Sequence, residues 1–210
     1  FLIKEAYYLS LDAIPNDHVV RECNSTRPSG RVLLLVICQK DASCSAVCRM
    51  VSAVGEKRQI RNIALTGFMG CGKTAVGRVV ASVAGFEFLD TDQFIEEHVG
   101  MSIPRIFEEH GEQTFRRYER EVVVRLAKRE NNVIATGGGL LVDAENMDTM
   151  KQYAMVFCLW ASPESIWRRV KGQSHRPLLN TDDSRQRIID LLEERKPAYS
   201  RSDMLINTEY

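Results

Sequence analysis

A chain of 210 residues has room for one α/β domain with a substantial core and a small appendage, not for two full domains. Its 28 Lys and Arg balance 28 Asp and Glu, so no overall field favours nucleic acid or an anionic membrane, and any cationic function is local. The longest apolar run, VLLLVIC at 32–38, is strand-sized and well short of the ~20 residues that span a bilayer.

The first 60 residues differ in texture from the rest. They hold four of the six cysteines, Cys23, Cys38, Cys44 and Cys48. CQKDASCSAVC contains no Cys-x-x-Cys pair and no histidine partner, so it makes a poor zinc site, and reduced thiols are the better reading. The head begins at Phe1 and carries Glu5, Asp12, Asp17 and Glu22 without the charged-then-apolar order of a signal peptide. Residues 1–60 are therefore expected to be an N-terminal extension, disordered or targeting, joined to a domain at 61–210.

From Ile60 onward short apolar runs alternate with longer amphipathic ones. NIALTG (62–67), FEFLDTD (86–92), NVIATGGG (132–139), AMVFCLWA (154–161) and DMLINT (203–208) read as strands. Helical patterns fall near 72–84, 91–98, 102–128, 144–152, 163–171 and 183–197. Near-continuously apolar strands alternating with helices predict a parallel sheet covered on both faces, with ligands at the carboxyl ends of the strands. Three strands end in GFMGCGKT, DTD and TGGG, and these ends are expected to meet at one crevice.

Gly67, Gly72, Lys73 and Thr74 fit G-x-x-x-x-G-K-[ST] between a strand and a helix. Glycines let backbone N–H groups converge on phosphate, Lys73 adds a point charge, and Thr74 offers a hydroxyl to magnesium. Asp90 and Asp92 flank Thr91 at a strand end. One Asp there serves equally well as a helix N-cap, but two at the crevice fit one carboxylate for magnesium and one to accept a proton from an alcohol. GEQTFRRYERE is helical, with Glu112/Arg116 and Arg117/Glu121 at i, i+4 spacing. One arginine turned inward from it would pair with a substrate carboxylate, and spacing does not choose between Arg116 and Arg117. Gly137, Gly138 and Gly139 indicate close approach of backbone to a ligand. In VKGQSHRPLLNTDD, Pro177 extends Arg176 in a loop suited to a closing lid.

In this order and at these spacings, GFMGCGKTAVG, LDTD, GEQTFRRYERE, TGGG, RPLL and ERKPAYSR resemble shikimate kinase, a family with the nucleoside monophosphate kinase-like P-loop fold. The resemblance runs from Arg61 to Thr208. It implies a three-layer α/β fold with a five-stranded parallel sheet, helices on both faces and a mobile lid. It also implies transfer of the ATP γ-phosphate to the 3-hydroxyl of shikimate, with Mg2+, by a cytoplasmic monomer that binds neither nucleic acid nor membrane. Carried over by motif, Gly70, Cys71, Gly72, Lys73, Thr74 and Ala75 would bind the nucleotide phosphates, with Lys73 stabilising the transferring group. Thr74 and Asp90 would hold magnesium, and Asp92 would contact shikimate and act as base. Arg116 and Arg195 would clamp the carboxylate beside Gly138 and Gly139. Arg176 would be the lid arginine and Arg169 the adenine contact.

The family continues past the last strand into a loop and a helix that complete the adenine pocket, whereas this sequence stops at Tyr210. Cys71 stands where Ser or Ala is usual, and an exposed thiol there would make the site thiol-sensitive. Two rival readings are a different P-loop kinase, for gluconate or a nucleotide, and a ligand-sensing domain without turnover. DTD, FRRYE and RPLL weigh against the first. The retained Lys73, Thr74, Asp90, Asp92, Arg116, Arg176 and Arg195 weigh against the second.

Overall fold

The computed structural model describes residues 58–171 and 184–209. The cysteine-bearing head up to residue 57 and the segment around Arg176 lie outside the described residues. The elements in chain order are β1 (Asn62–Thr66), α1 (Lys73–Ala84), β2 (Glu87–Asp90), α2 (Thr91–Val99), α3 (Ile103–Leu126), β3 (Asn132–Ala135), α4 (Ala144–Tyr153), β4 (Ala154–Trp160), α5 (Pro163–Val170), α6 (Ser184–Tyr199) and β5 (Met204–Asn207).

The five strands form one parallel sheet in the order β2-β3-β1-β4-β5. β1 is central, and all five of its residues are buried, as expected for a strand covered on both faces. Alternate residues supply two cores. Ile63, Leu65, Val133 and Phe157 pack on one side with Val80, Ile166 and Leu191. Ala64, Ile134 and Val156 pack on the other with Phe115, Val122, Leu126 and Met150. The three strands whose ends carry the unusual motifs are neighbours, β2-β3-β1, so their loops open on the same edge.

Among the expected boundaries that shift, two have a clear cause in the glycines. The strand read through Gly139 ends at Ala135, because the backbone leaves the ladder at the glycines. The helix read over 102–128 is broken at Gly111, whose φ of 74° and ψ of 171° no helix accommodates. α3 therefore consists of two segments that meet at an angle.

Opposite the motif edge, Asp203 fastens three parts of the chain. It accepts hydrogen bonds from Arg58 (2.8 and 3.0 Å) and from the Val156 N–H (2.8 Å), and it pairs with Lys151 at 3.1 Å. Burial works to raise its pKa, but the bonds from Arg58, Val156 and Lys151 outweigh burial and hold it below the usual carboxylate range. A depressed carboxylate contributes stability above its unfolded pKa of about 3.9 and loses it as pH falls through the folded value. Asp203→Asn is expected to destabilise the fold by about 1–3 kcal/mol at pH 7. In denaturant melts the difference from the wild-type chain should shrink below about pH 4.

Candidate active site

The loop between β1 and α1 is shaped by its glycines. At Gly67, φ is 131° and a Cβ would lie 2.2 Å from the Leu159 carbonyl oxygen, so no other residue fits. Gly72 caps α1 without a side chain, and the positive end of the helix faces a cavity of about 700 Å³. Lys73 Nζ is held at the loop by the carbonyls of Gly67 (2.9 Å) and Phe68 (3.0 Å). Gly70, Gly72, Lys73, Thr74 and Ala75 all line the cavity.

Cys71 turns its side chain away from the cavity that its loop neighbours line. Its side chain is 2% exposed and packs in the core, while its N–H is directed to Phe68 O at 3.3 Å. Burial pushes the thiol pKa up, despite the opposing charges of Lys73 and Arg169. A buried, protonated thiol is a poor nucleophile. Alkylation with iodoacetamide at neutral pH is expected to leave turnover unchanged. Inactivation that Cys71→Ser abolishes would contradict this placement.

Asp90 ends β2 and caps α2, its Oδ1 accepting from the Asp92 N–H at 3.1 Å. Its other oxygen lies 3.3 Å from Thr74 Oγ1. Asp90 thus caps a helix and also faces the phosphate loop. Asp92 points across the cavity floor, and burial, then repulsion from Asp90, raises its pKa to about 6, with Lys73 opposing and Glu96 adding. A carboxylate so tuned is ionised near neutrality yet basic enough to take a proton from an alcohol.

Across the cavity, Arg116 is the arginine that turns inward, while Arg117 stays on the exposed face, 3.8 Å from Glu121 and with its guanidinium 5.5 Å from the centre of the Tyr118 ring. Arg116 pairs with Glu112 (2.8 Å) and with Glu119 (2.7 Å). Burial opposes its charge, but the two carboxylates outweigh burial and keep it protonated. Burial raises the Glu119 pKa, which Arg116 partly offsets. Arg195 reaches the same rim from α6, donating to Gly138 O at 3.2 Å, beside the Tyr199 hydroxyl at 3.1 Å. A Cβ on Gly139 would stand 3.0 Å from Arg116 Nη1, and one on Gly137 would stand 2.3 Å from Asp92 Oδ1. The glycines therefore let backbone approach side chains of the site itself. Ile103, Phe107 and Phe115 form an apolar wall, with the two phenylalanine rings 4.8 Å apart.

Arg169 donates to Gly70 O at 3.2 Å, to Thr208 Oγ1 at 3.3 Å and to Thr208 O at 2.6 Å. It ties the phosphate loop to the end of β5. Arg176 lies outside the described residues. Sequence reasoning missed Glu119, Phe107 and Tyr199. For Glu119 a signal existed: positions 115, 119, 122 and 126 form one helical stripe, and its other members are Phe, Val and Leu.

A glycine-rich phosphate loop after the central strand of a parallel sheet, facing paired carboxylates and inward arginines across one cavity, defines a P-loop kinase. A family model described as shikimate kinase matches residues 69–210, and the chain belongs to the shikimate kinase family. The shikimate kinase of Thermodesulfovibrio yellowstonii is 44% identical over 150 residues, covering 71% of this chain and 87% of that protein. That of Geobacter metallireducens is 39% identical over 157 residues, or 75% and 88% of the two chains. Among solved structures, shikimate kinase from Acinetobacter baumannii in complex with shikimate superposes with a TM-score of 0.68 at 41% identity, covering 72% of this chain and 85% of that one.

Proposed function

We propose that this chain transfers the γ-phosphoryl group of ATP to the 3-hydroxyl of shikimate, giving ADP and shikimate 3-phosphate on the route to chorismate and the aromatic amino acids. The observation that carries this reading is a single cavity in which the phosphate loop, the Asp90–Asp92 pair and two inward arginines all converge. A phosphate loop alone serves many reactions; the arginines specify a small anionic acceptor.

In this reading the phosphates of ATP lie on the N-terminal end of α1, and the Lys73 ammonium neutralises charge on the transferring group. Arg116 and Arg195 grip the shikimate carboxylate, their planar guanidinium groups fixing its orientation. The ring then rests between the glycine turn and the apolar wall, with its 3-hydroxyl toward Asp92. Asp92 takes the hydroxyl proton as the oxygen bonds to the γ-phosphorus, and the bond from that phosphorus to the bridging oxygen breaks to release ADP. Arg169 is assigned to the adenine side. Arg176 is assigned to lid closure on its sequence motif alone.

Among the described residues no group of three or more His, Cys, Asp or Glu side chains could hold a metal by itself. Thr74 and Asp90 nevertheless present two hard oxygens 3.3 Å apart beside the phosphate loop, which suits magnesium, an ion that keeps several waters and shares its shell with phosphates. Asp90 is assigned to it through water. The ion supplies charge neutralisation at the β and γ phosphates.

We assign residues 61–210 to the kinase domain and residues 1–60 to an extension, and the active species to a cytoplasmic monomer. Among the described residues no helix is long and apolar enough to cross a membrane. Phosphorus NMR of a reaction with ATP, magnesium and shikimate is the test of regiochemistry. A new phosphate ester on the 3-position is expected; an ester at another hydroxyl would refute the assignment of the acceptor.

A further inference from the structure

The middle residue of Asp90-Thr91-Asp92 has no part in the reaction as derived above, yet its surroundings are not those of a spacer. Thr91 is fully buried, and its Oγ1 accepts the N–H of Gly137 at 2.9 Å. It is the first residue of α2, directly after the Asp90 cap. We propose that Thr91 is a positioning residue, whose buried hydroxyl holds the Gly137 turn against the Asp92 carboxylate and so fixes the base toward the acceptor.

The geometry explains why such a tie is needed. β2 and β3 are paired through Asp90 and Ala135, and beyond that rung the two chains part, one into a helix and the other into three glycines. Thr136 remains tied to β1, its N–H and hydroxyl both donating to Leu65 O at 3.0 and 3.2 Å. Gly137 is the next residue, and its tie runs the other way, to Thr91. These two ties hold the turn between the central strand and α2.

A Cβ on Gly137 would lie 2.3 Å from Asp92 Oδ1 and 3.2 Å from its Cγ, so the carboxylate sits directly on the Gly137 backbone. Wherever that backbone goes, the wall behind Asp92 goes too. Without the Thr91 oxygen the buried Gly137 N–H has lost its acceptor and the turn must shift to find another. A shift of about 1 Å in a reacting group is enough to lower a rate by about 100-fold.

This inference rests on the proposed role of Asp92, and its test separates the two. Thr91→Val keeps the shape and removes the acceptor. It is expected to lower kcat with shikimate by about 10- to 100-fold while KM for ATP changes less than about 2-fold. Thr91→Ser restores the hydroxyl and is expected to bring kcat back to within about 3-fold of the wild-type chain. A folded Thr91→Val with wild-type kcat, or a Thr91→Ser that falls as far as Thr91→Val, overturns the proposal.

Gly137→Ala examines the same contact from the other side and serves if Thr91→Val does not fold. It leaves Thr91 intact but obliges the Asp92 carboxylate to move, so the same loss of kcat at constant KM for ATP is expected, and a wild-type kcat overturns the proposal. Asp92→Asn run in parallel identifies which idea failed. Near-normal turnover there removes the base itself, whereas collapse there with normal Thr91→Val and Gly137→Ala removes only the role of Thr91.

Discussion

Replacing Asp92 with Asn is expected to lower shikimate-dependent turnover by at least about 100-fold. The amide keeps the size of the side chain but cannot accept the hydroxyl proton. The same variant carries a stability signature of opposite sign. The folded Asp92 has its pKa raised to about 6 by burial and by Asp90, above an unfolded value of about 3.9. Between these values the folded state binds the proton more tightly, so the Asp92 contribution to stability falls as pH rises through the window. Above about pH 6 the ionised side chain weakens the fold by on the order of 3 kcal/mol. In magnesium-free buffer at pH 8, Asp92→Asn should therefore melt higher than the wild-type chain while turning over far more slowly. A variant with near-normal rates would leave Asp92 as a binding residue only. One that melted lower at pH 8 would contradict the electrostatic account.

Arg116→Lys is expected to raise the KM for shikimate by at least about 10-fold with the KM for ATP unchanged. Lysine preserves the charge that Glu119 needs but cannot present a planar fork to a carboxylate. Arg116→Ala is the less informative change. It would leave Glu119, 3% exposed at its side chain, buried without its partner, and breaking a buried pair in this way costs about 3–5 kcal/mol. Loss of fold would then obscure loss of binding. Arg117→Ala is the control, since Arg117 lies on the exposed face with a loose ion pair and a contact to the Tyr118 ring, and its kinetic constants are expected to stay close to wild type. Equal effects at the two arginines would contradict the inward assignment of Arg116.

The fold was legible because its signals are local and repetitive. Apolar runs such as NIALT and AMVFCLW can only be buried strands in this setting, and all five predicted strands occur, in one parallel sheet. The convergence of GFMGCGKT, DTD and TGGG followed from the rule that such a sheet binds at its carboxyl edge, and the adjacency of β2, β3 and β1 realises it. What sequence could not supply was which way side chains turn. Cys71 sits inside a phosphate-binding motif but faces the core. Glu119 reads as one more charge on a solvated helix, yet it lies beneath Arg116. Thr91 reads as a spacer until Gly137 is seen to donate to it. Glu119 was recoverable from the stripe it shares with Phe115, Val122 and Leu126, whereas the Thr91 tie joins segments 46 residues apart, which periodicity does not encode. The break at Gly111 was missed for a different reason. Glycine within a helical pattern lowers helix propensity without saying whether the helix ends, and only the observed φ shows that it does.

Release of ADP by the 210-residue chain, with ATP and magnesium and with shikimate, gluconate or a nucleoside monophosphate as acceptor, tests the central claim most directly. The account predicts saturable, shikimate-dependent release that far exceeds the rate with either rival acceptor. A folded, intact sample that releases no ADP in response to shikimate would contradict it.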